Sequence, residues 1–421
     1  MISVKRMLLT SEKNFLIVVF ILSSLFKIGV SFFVELWPLG YDPLEHYQWA
    51  LSILDGKFPT DRTFLYNIIL SIFLYFNKDY WVAQIVNAFI SNFFLIPFYY
   101  IAKNQFNKRV AMQSVVLINI VPFTIFGIAT TPKLLVVFFL LIVYYFVLKK
   151  KYSWWISIAS VMAFLAHQYS LFFLAPAFLL ILKTNRKRAL YFSSILIIVI
   201  LSWMTLSPTE SMFIYYPIAV NGWEGVKGTP KETILADFYS TPWYKIIAIR
   251  IVNFFIPITP LLFPLFKTID FINPITLELH KTIDFSTQPW AYNYLQSFSG
   301  YIGILLYLFA ILGVWKMKKI DLVYLILSSY IISVLFFGWI HPITGSVGLA
   351  YAPFLMMISV YEINKKKRNR LMMIILFSLL IELILMFITF GWFIEFTKEN
   401  LIMSGSFEEY AKLNSLWKLA H

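Results

Sequence analysis

Cysteine is absent from the 421 residues of this chain. A disulfide framework, a thiol nucleophile and a cysteine metal site are therefore excluded. Charge is also scarce, because only 13% of the residues are Asp, Glu, Lys or Arg, and only 21 of them are acidic. The phosphate loop, the His-Glu-x-x-His motif, the Gly-x-Ser-x-Gly elbow and the Rossmann glycine pattern are all missing. An enzyme of this composition would take an activated donor from the membrane and bind no cytosolic nucleotide.

Apolar residues dominate the chain. Hydrophobic residues make up 60% of it, aromatic residues make up 19%, and the mean hydropathy is +0.76. Soluble domains of this length are much more polar, whereas a protein that crosses the membrane many times has this composition. The sequence therefore predicts an all-α polytopic membrane protein.

Basic residues occur in short clusters between the apolar runs. Six clusters hold 21 of the 35 Lys and Arg residues, and only three acids lie beside them. This is the positive-inside pattern, which orients membrane helices. The net charge of +14 therefore reports topology, and we expect no nucleic-acid partner. The clusters are Lys5/Arg6/Lys13, Lys103/Lys108/Arg109, Lys149/Lys150/Lys151, Lys183/Arg186/Lys187/Arg188, Lys316/Lys318/Lys319 and Lys365/Lys366/Lys367/Arg368/Arg370.

Placing every cluster in the cytoplasm predicts about eleven transmembrane helices with a cytoplasmic N-terminus in the plasma membrane. One of them covers about 133–148, and two short helices that meet near His167-Gln168 keep the basic clusters on both sides of 154–182 in the cytoplasm. The first helix, at about 14–36, is too long for the apolar core of a cleaved signal and is predicted to be an uncleaved anchor. The predicted modules are an N-terminal one (1–206, with a first outer loop at 37–79), a long irregular outer loop (207–298) and a C-terminal one (299–421).

Two apolar stretches fit this topology poorly. Residues 64–76 are too few for a span that needs about 20 residues. Residues 246–266 are numerous enough, but Pro257, Pro260 and Pro264 interrupt them. We expect both to lie in the membrane interface or to dip into the membrane from the outer side, with interfacial helices in the first outer loop. If either stretch spans the membrane, the sidedness of everything between them inverts.

The segment from Gly40 to Tyr47 combines two carboxylates and an imidazole where the first helix should leave the membrane. Asp42 and Glu45 are three residues apart, so a helix would place both on one face, with His46 beside them. Such a group can act as a base on a lipid-borne substrate. The alternative is an ordinary surface helix that starts at Pro43 and carries acids in its first turn.

Further polar residues fall on the same predicted outer face. Together with His46 they are the candidates to bind the substrate, and the cations among them could hold a phosphate. They are Lys133, His167, Gln168, Arg250 and His341. The alternative for Lys133 and Arg250 is anchoring at the lipid headgroups, and for the others a structural turn or helix break. Lys27 and Glu382 lie inside predicted helices, where a charge needs a partner or a function, and the two could pair with each other.

The first half of the chain, about 14–182, resembles the GT-C superfamily of integral-membrane glycosyltransferases, which includes protein O-mannosyltransferases, the lipid A aminoarabinose transferase and oligosaccharyltransferase catalytic subunits. The acidic motif is followed by Tyr47-Gln48-Trp49-Ala50 and by Gly56-Lys57-Phe58-Pro59, which is similar to the first loop of the family. Three later segments also resemble the family, and they are Asn107–Ala111, Ala129–Leu134 and Ala166–Tyr169.

The resemblance implies a polyprenyl-phosphate-sugar donor and an inverting transfer on the extracytoplasmic face. Asp42 would be the general base, with Glu45 as its nearest substitute, and Lys133, His167 and Arg250 would stabilise the departing phosphate. Many relatives have an acid where this chain has Lys133, so we expect no metal and no other cofactor. The resemblance to an oligosaccharyltransferase is the weaker one, because no large soluble C-terminal domain is expected.

The acceptor is left open among protein, lipid and glycan, as is the sugar. Two other classes also stay open at this point. A lipid or glycolipid transporter would show repeats and polar residues near the membrane centre. A non-catalytic membrane subunit would not need Asp42 and Glu45 together at the interface.

Overall fold

The computed structural model describes more than half of the chain, and all structural statements below concern that part. The described residues are 12–33, 41–57, 64–120, 131–206, 268–272, 279–284, 305–306, 308–337, 352–365, 369–378 and 380–381.

The described part is helical except for one β-hairpin. The helices in the N-terminal half are α1 (Glu12–Phe33), α2 (Tyr41–Leu54), α3 (Leu65–Leu74), α4 (Tyr80–Ile90), α5 (Leu95–Gln105), α6 (Lys108–Ile120), α7 (Lys133–Leu148), α8 (Trp155–Ala166), α9 (Ser170–Thr184) and α10 (Arg186–Leu206). Two strands follow, β1 (Thr268–Ile272) and β2 (Leu279–Asp284). The later helices are α11 (308–316), α12 (Ile320–Phe337), α13 (Ala352–Lys365) and α14 (Asn369–Ser378).

One described segment, Tyr80–Gln105, is long and apolar enough to cross a membrane. It consists of α4 and α5, and turns at residues 91–94 interrupt the regular helix between them. Six further apolar helices have 10–17 residues each, among them α3, α7, α8 and α9. The predicted count of about eleven spans therefore stays a prediction, while the short stretch at 64–76 does form a short helix.

Helices α7 and α8 form an antiparallel hairpin at the centre of the bundle. Six residues connect them, and they pack against each other along their length. Helix α7 is apolar on every side, which is typical of a helix surrounded by others. The Tyr144 hydroxyl bonds the Phe173 carbonyl oxygen on α9 at 2.7 Å and the Ser329 hydroxyl on α12 at 3.1 Å. These bonds join α9 and α12 to α7.

Large apolar side chains are exposed on the outside of the bundle. On α1 the exposed side chains include Ile21, Leu22 and Leu25, and on α10 they include Ile198 and Leu201. Continuous apolar surface of this kind needs a non-aqueous environment. The surface therefore fits a bundle that lies in lipid.

Part of the predicted irregular loop is regular. Strands β1 and β2 pair antiparallel, with Thr268 opposite Asp284 and Ile272 opposite Leu279, and a bulge interrupts the register after Ile269. The expectation of an irregular loop is therefore wrong for these residues. Thr, Ile and Phe favour strands, and the Asn and Pro that follow β1 in the sequence favour a turn.

Helices α11 and α13 cross at Gly313. A Cβ atom at this position would lie 2.3 Å from the Ile358 Cγ2 atom and 2.9 Å from the Glu362 Cγ atom, so the side chain of any other residue would overlap α13. We expect Gly313→Ala to destabilise the protein by about 1–3 kcal/mol, because the two helices must move apart. The measurement is the thermal unfolding midpoint in detergent.

Gly29 provides the matched control on α1. No atom lies within 4 Å of the position that its Cβ would occupy. Since Ala favours a helix by up to about 1 kcal/mol over Gly, Gly29→Ala should leave the midpoint unchanged or raise it. A Gly313→Ala protein that unfolds at the wild-type temperature would contradict the close crossing.

Candidate active site

The acidic motif opens helix α2. The helix begins at Tyr41, so Asp42 and Glu45 both lie in its first turns, and His46 follows Asp42 by about one turn. The backbone of residues 41–45 is described, whereas their side chains lie outside the described part. The predicted helix is confirmed, and the role of its two acids stays a prediction.

His46 attaches α2 to α3. The side chain is 4% exposed, and its Nδ1 atom lies 2.8 Å from the Asn67 Oδ1 atom. The amide oxygen only accepts, so the Nδ1 atom carries the proton that it donates. The imidazole also makes edge-to-face contacts with the rings of Trp49 and Tyr66, each at a centroid distance of 5.3 Å. These contacts fix the position of the first turns of α2 relative to α3. A substrate contact of His46 stays a prediction.

Two tyrosines, one on α2 and one on α3, connect these helices to α4 and to the residues just before it. The Tyr66 hydroxyl donates to the Asn87 Oδ1 atom at 2.8 Å. The Tyr47 hydroxyl donates to the Lys78 carbonyl oxygen, and its ring stands edge-on to the ring of Tyr80. Burial, and secondly the charge of Asp79, raises the pKa of Tyr47 to about 12. Tyr47 therefore stays protonated at neutral pH and serves as a donor.

Lys27 lies at the interruption between α4 and α5. The side chain is 1% exposed, and its ammonium group donates to the Ser91 Oγ atom at 2.9 Å and to the Asn92 Oδ1 atom at 2.5 Å. The expectation that this intramembrane charge has a partner is confirmed, and the partners are neutral. Glu382, the other candidate for pairing, lies outside the described residues.

Asn92 is the centre of this polar cluster. Its Oδ1 atom also accepts from the Ser23 hydroxyl at 2.9 Å, and its amide nitrogen donates to the Ser24 Oγ atom at 2.8 Å. The Ser23 Oγ atom also lies 2.7 Å from the Asn119 Oδ1 atom on α6, so its single proton can serve either amide oxygen. Asn92 and Ser91 thus hold α1, the broken span and α6 together. The polar network continues along α4, since Asn87 lies one turn before Ser91.

Lys133, His167 and Gln168 lie at one end of the α7–α8 hairpin. Lys133 is the first residue of α7, and the other two follow the last residue of α8. Because the two helices run antiparallel, the start of α7 and the end of α8 lie at the same end of the hairpin. Lys133 and Gln168 are buried, with 7% and 8% exposure. The topology therefore places three of the predicted substrate-binding residues at the same end of the hairpin.

The predicted helix break at His167 is confirmed. Helix α8 ends at Ala166, α9 begins at Ser170, and His167 has an extended backbone. The His167 Nδ1 atom accepts a bond from the Tyr169 backbone N–H at 3.4 Å, and the two rings lie 4.2 Å apart. Helix α8 has 12 residues and α7 has 16, so their lengths are about 18 and 24 Å.

Three buried polar atoms in this region make no hydrogen bond within the described part of the protein. They are Thr131 Oγ1 beside Lys133, Ser170 Oγ at the start of α9, and Asn67 Nδ2 on α3. Buried polar groups normally have partners, so an unbonded group indicates a missing ligand, water or segment. The sequence analysis did not select these residues. A lone Asn in the apolar helix Leu65–Leu74 was the available signal for Asn67.

The remaining candidates cannot be located. Arg250 and His341 lie outside the described residues. Within the ranges that are described, no group of three His, Asp or Glu residues is placed to hold a metal ion. The predicted absence of a metal stays a prediction.

Comparison with known proteins decides the fold class. Residues 61–208 match the family described as dolichyl-phosphate-mannose-protein mannosyltransferase. The archaeal oligosaccharyltransferase AglB from Archaeoglobus fulgidus, solved in complex with an inhibitory peptide and a dolichol-phosphate, superposes with a TM-score of 0.51. Residues 61–208 are therefore similar to this mannosyltransferase family, and the fold of the chain is similar to that of AglB, as the resemblance to the GT-C superfamily predicts.

The extent of each match limits what it conveys. AglB is 12% identical to this chain, and the superposition covers 90% of the chain. The chain spans 56% of the length of AglB, so the likeness concerns the fold. The family match begins after Asp42 and Glu45 but includes Lys133 and His167. No curated protein sequence matches the chain.

Proposed function

We propose that this chain is a glycosyltransferase of the GT-C type that transfers a sugar from a polyprenyl-phosphate donor to an acceptor hydroxyl. The observation that carries the proposal is the family match over residues 61–208, which contains the buried end of the α7–α8 hairpin. The family is named for a dolichyl-phosphate-mannose donor, and AglB was solved with dolichol-phosphate. Both support a lipid-phosphate donor for this chain.

In the proposed reaction Asp42 is the general base. Its carboxylate takes the proton of the acceptor hydroxyl, the acceptor oxygen bonds to the anomeric carbon, and the bond from that carbon to the phosphate oxygen breaks. The lipid phosphate leaves as an anion, and a single displacement inverts the anomeric centre. Glu45, one turn further along α2, is the nearest substitute for the base. Direct proton transfer requires the carboxylate within hydrogen-bond distance of the hydroxyl.

The departing phosphate is proposed to bind at the end of the α7–α8 hairpin. Lys133 contributes a positive charge, while His167 and Gln168 contribute hydrogen bonds. A buried cation stabilises developing negative charge strongly because water is excluded around it. The unbonded Thr131 and Ser170 hydroxyls supply further donors beside these residues. Arg250 and His341 are proposed to complete the site, and His46 to hold the substrate side of α2.

The acceptor is proposed to be a protein hydroxyl. The family name includes a protein acceptor, and the AglB complex contains a peptide. The transfer is proposed to take place on the extracytoplasmic side of a multi-pass protein with a cytoplasmic N-terminus. The distribution of basic clusters supports that orientation.

A lipid or glycolipid transporter is the second candidate, and one observation favours it. The span Tyr80–Gln105 is interrupted at its middle, next to the buried Lys27 and Asn92. Interrupted helices with polar residues near the membrane centre are typical of transporters. In this protein, however, the polar groups at the interruption bond to one another.

A transfer assay separates the two candidates. The purified protein is incubated with radiolabelled polyprenyl-phosphate sugars and membrane proteins, and label on protein is counted. A proteoliposome assay with a fluorescent glycolipid measures movement between leaflets in parallel. We expect label transfer and no accelerated movement. Accelerated movement without transfer by any donor would reject the glycosyltransferase in favour of the transporter.

A further inference from the structure

Three connections meet at the opposite end of the bundle from Lys133. With the helix ends that adjoin them, they are residues 149–155 from α7 to α8, 183–188 from α9 to α10, and 315–321 from α11 to α12, and together we call them the basic end. The Tyr152 and Thr184 hydroxyls bond to each other, and the Lys150 ammonium lies 4.0 Å from the Asp321 carboxylate. These two contacts join the three connections into one surface.

The basic end carries a large excess of positive charge. It contains ten Lys and Arg residues, nearly all of them exposed, whereas Asp321 is its single acid. The ten are Lys149, Lys150, Lys151, Lys183, Arg186, Lys187, Arg188, Lys316, Lys318 and Lys319. The positive-inside rule predicts that these residues lie on the cytoplasmic side of the membrane. It does not explain why they lie on three connections that contact one another.

Lys150 occupies a backbone conformation that usually selects glycine. Its φ is 54°, in the left-handed region. The Lys150 N–H bonds the Val147 carbonyl at 2.9 Å, and the Lys151 N–H bonds the Phe146 carbonyl at 3.0 Å. This is the Schellman arrangement at the end of α7, where glycine avoids the strain of a side chain. A lysine there indicates that the charge has a use that outweighs the strain.

Exposed tryptophans and aliphatic side chains lie among these cations. The rings of Trp154 and Trp155 stack with centroids 4.2 Å apart, and both are about half exposed. Trp315 is 88% exposed and Ile320 is 75% exposed. Tryptophan prefers the boundary between headgroups and hydrocarbon. A partner for this surface must therefore offer negative charge directly beside an apolar layer.

We propose that the basic end binds the headgroups of anionic phospholipids. A leaflet of anionic lipid presents phosphate next to hydrocarbon, which fits the cations and the exposed Trp and Ile side chains together. A nucleic acid or an acidic soluble protein would meet the cations but leave these apolar side chains in water. Each lysine at such a surface strengthens binding about fivefold, an effect that falls as salt rises. The inference does not depend on the proposed sugar transfer.

The experiment measures lipid retained by the whole purified protein with native mass spectrometry. Phosphatidylglycerol is compared with phosphatidylcholine of the same acyl chains. We expect at least tenfold preference for phosphatidylglycerol in the wild type. Changing Lys149→Gln, Lys150→Gly and Lys151→Gln together should weaken the binding of phosphatidylglycerol by up to about 100-fold and abolish the preference. The matched control is Lys57→Gln with Lys78→Gln, two exposed lysines of the first loop, which should retain it.

The single variant Lys150→Gly keeps the test independent of folding. It removes one charge and the backbone strain, so it should unfold at the same or a higher temperature while binding phosphatidylglycerol about fivefold less. Equal retention of both lipids by the wild type would overturn the proposal. An equal loss in the first-loop control, or tighter binding of an RNA oligonucleotide than of phosphatidylglycerol, would also overturn it.

Discussion

Asp42→Asn is expected to reduce sugar transfer about 10²- to 10⁴-fold, because the amide has the shape of the carboxylate but accepts no proton. The substitution lies in the first turn of α2, whose position depends on the later residues His46 and Tyr47. The helix should therefore stay in place. The measurement is the initial rate of label transfer at saturating donor, together with the dissociation constant of the donor.

Two comparisons make this result specific. Donor affinity should change less than threefold, because the proposed phosphate site lies at α7 and α8. Glu45→Gln should retain more activity than Asp42→Asn, since it leaves the proposed base intact. Full activity of the Asp42→Asn protein would show that another residue is the base. Loss of activity in the Glu45→Gln protein would then identify Glu45 as the base, and full activity of that protein would exclude it.

Asn92→Ala is expected to be the most destabilising single substitution in the described part of the protein. It removes the carbonyl oxygen that accepts from Lys27 and Ser23, and the amide that donates to Ser24. The ammonium group of Lys27 would then be buried with only the Ser91 hydroxyl as a partner. Loss of the partner of a buried charge costs about 3–5 kcal/mol. Unfolding by SDS in mixed micelles measures the difference.

Lys27→Met provides the decisive control. Alone it removes a buried charge without leaving Asn92 unbonded, because Ser23 still donates to the same oxygen. Its stability should equal or exceed that of the wild type. Combined with Asn92→Ala it should recover most of the lost stability. If the double variant is as unstable as Asn92→Ala, the cost comes from the neutral hydrogen bonds and not from the charge.

Some of the fold could be predicted because local patterns determine it. Helix α7 begins and ends at the predicted residues 133 and 148, where Pro132 and Lys149 limit the apolar run. The break at His167 was predicted because basic clusters lie on both sides of the apolar block 154–182. Two short helices place both clusters in the cytoplasm, whereas one long helix would not. The hairpin at 268–284 was missed because its strands are short and lie within an aromatic loop without periodicity.

The polar contacts between helices could not be predicted. The pattern of an apolar span identifies Lys27 as an exceptional residue but not its partner, because the crossing of helices sets which side chains meet. Ser91 and Asn92 are 64 and 65 residues away in the sequence. His46 was selected for its chemistry, yet its packing against Tyr66 and Asn67 depends on how α3 folds back. The candidate base was selected from a motif alone.

The polar network around α4 has a consequence for engineering. Helix α2 is attached to α3 through His46 and Asn67, α3 is attached to α4 through Tyr66 and Asn87, and the broken span is attached to α1 through Asn92. A chimera that exchanges only residues 41–57 with a relative would separate His46 from Asn67 and Tyr47 from Lys78. Loop exchange intended to alter acceptor choice should therefore transplant α3 and the Asn87–Asn92 segment as one cassette.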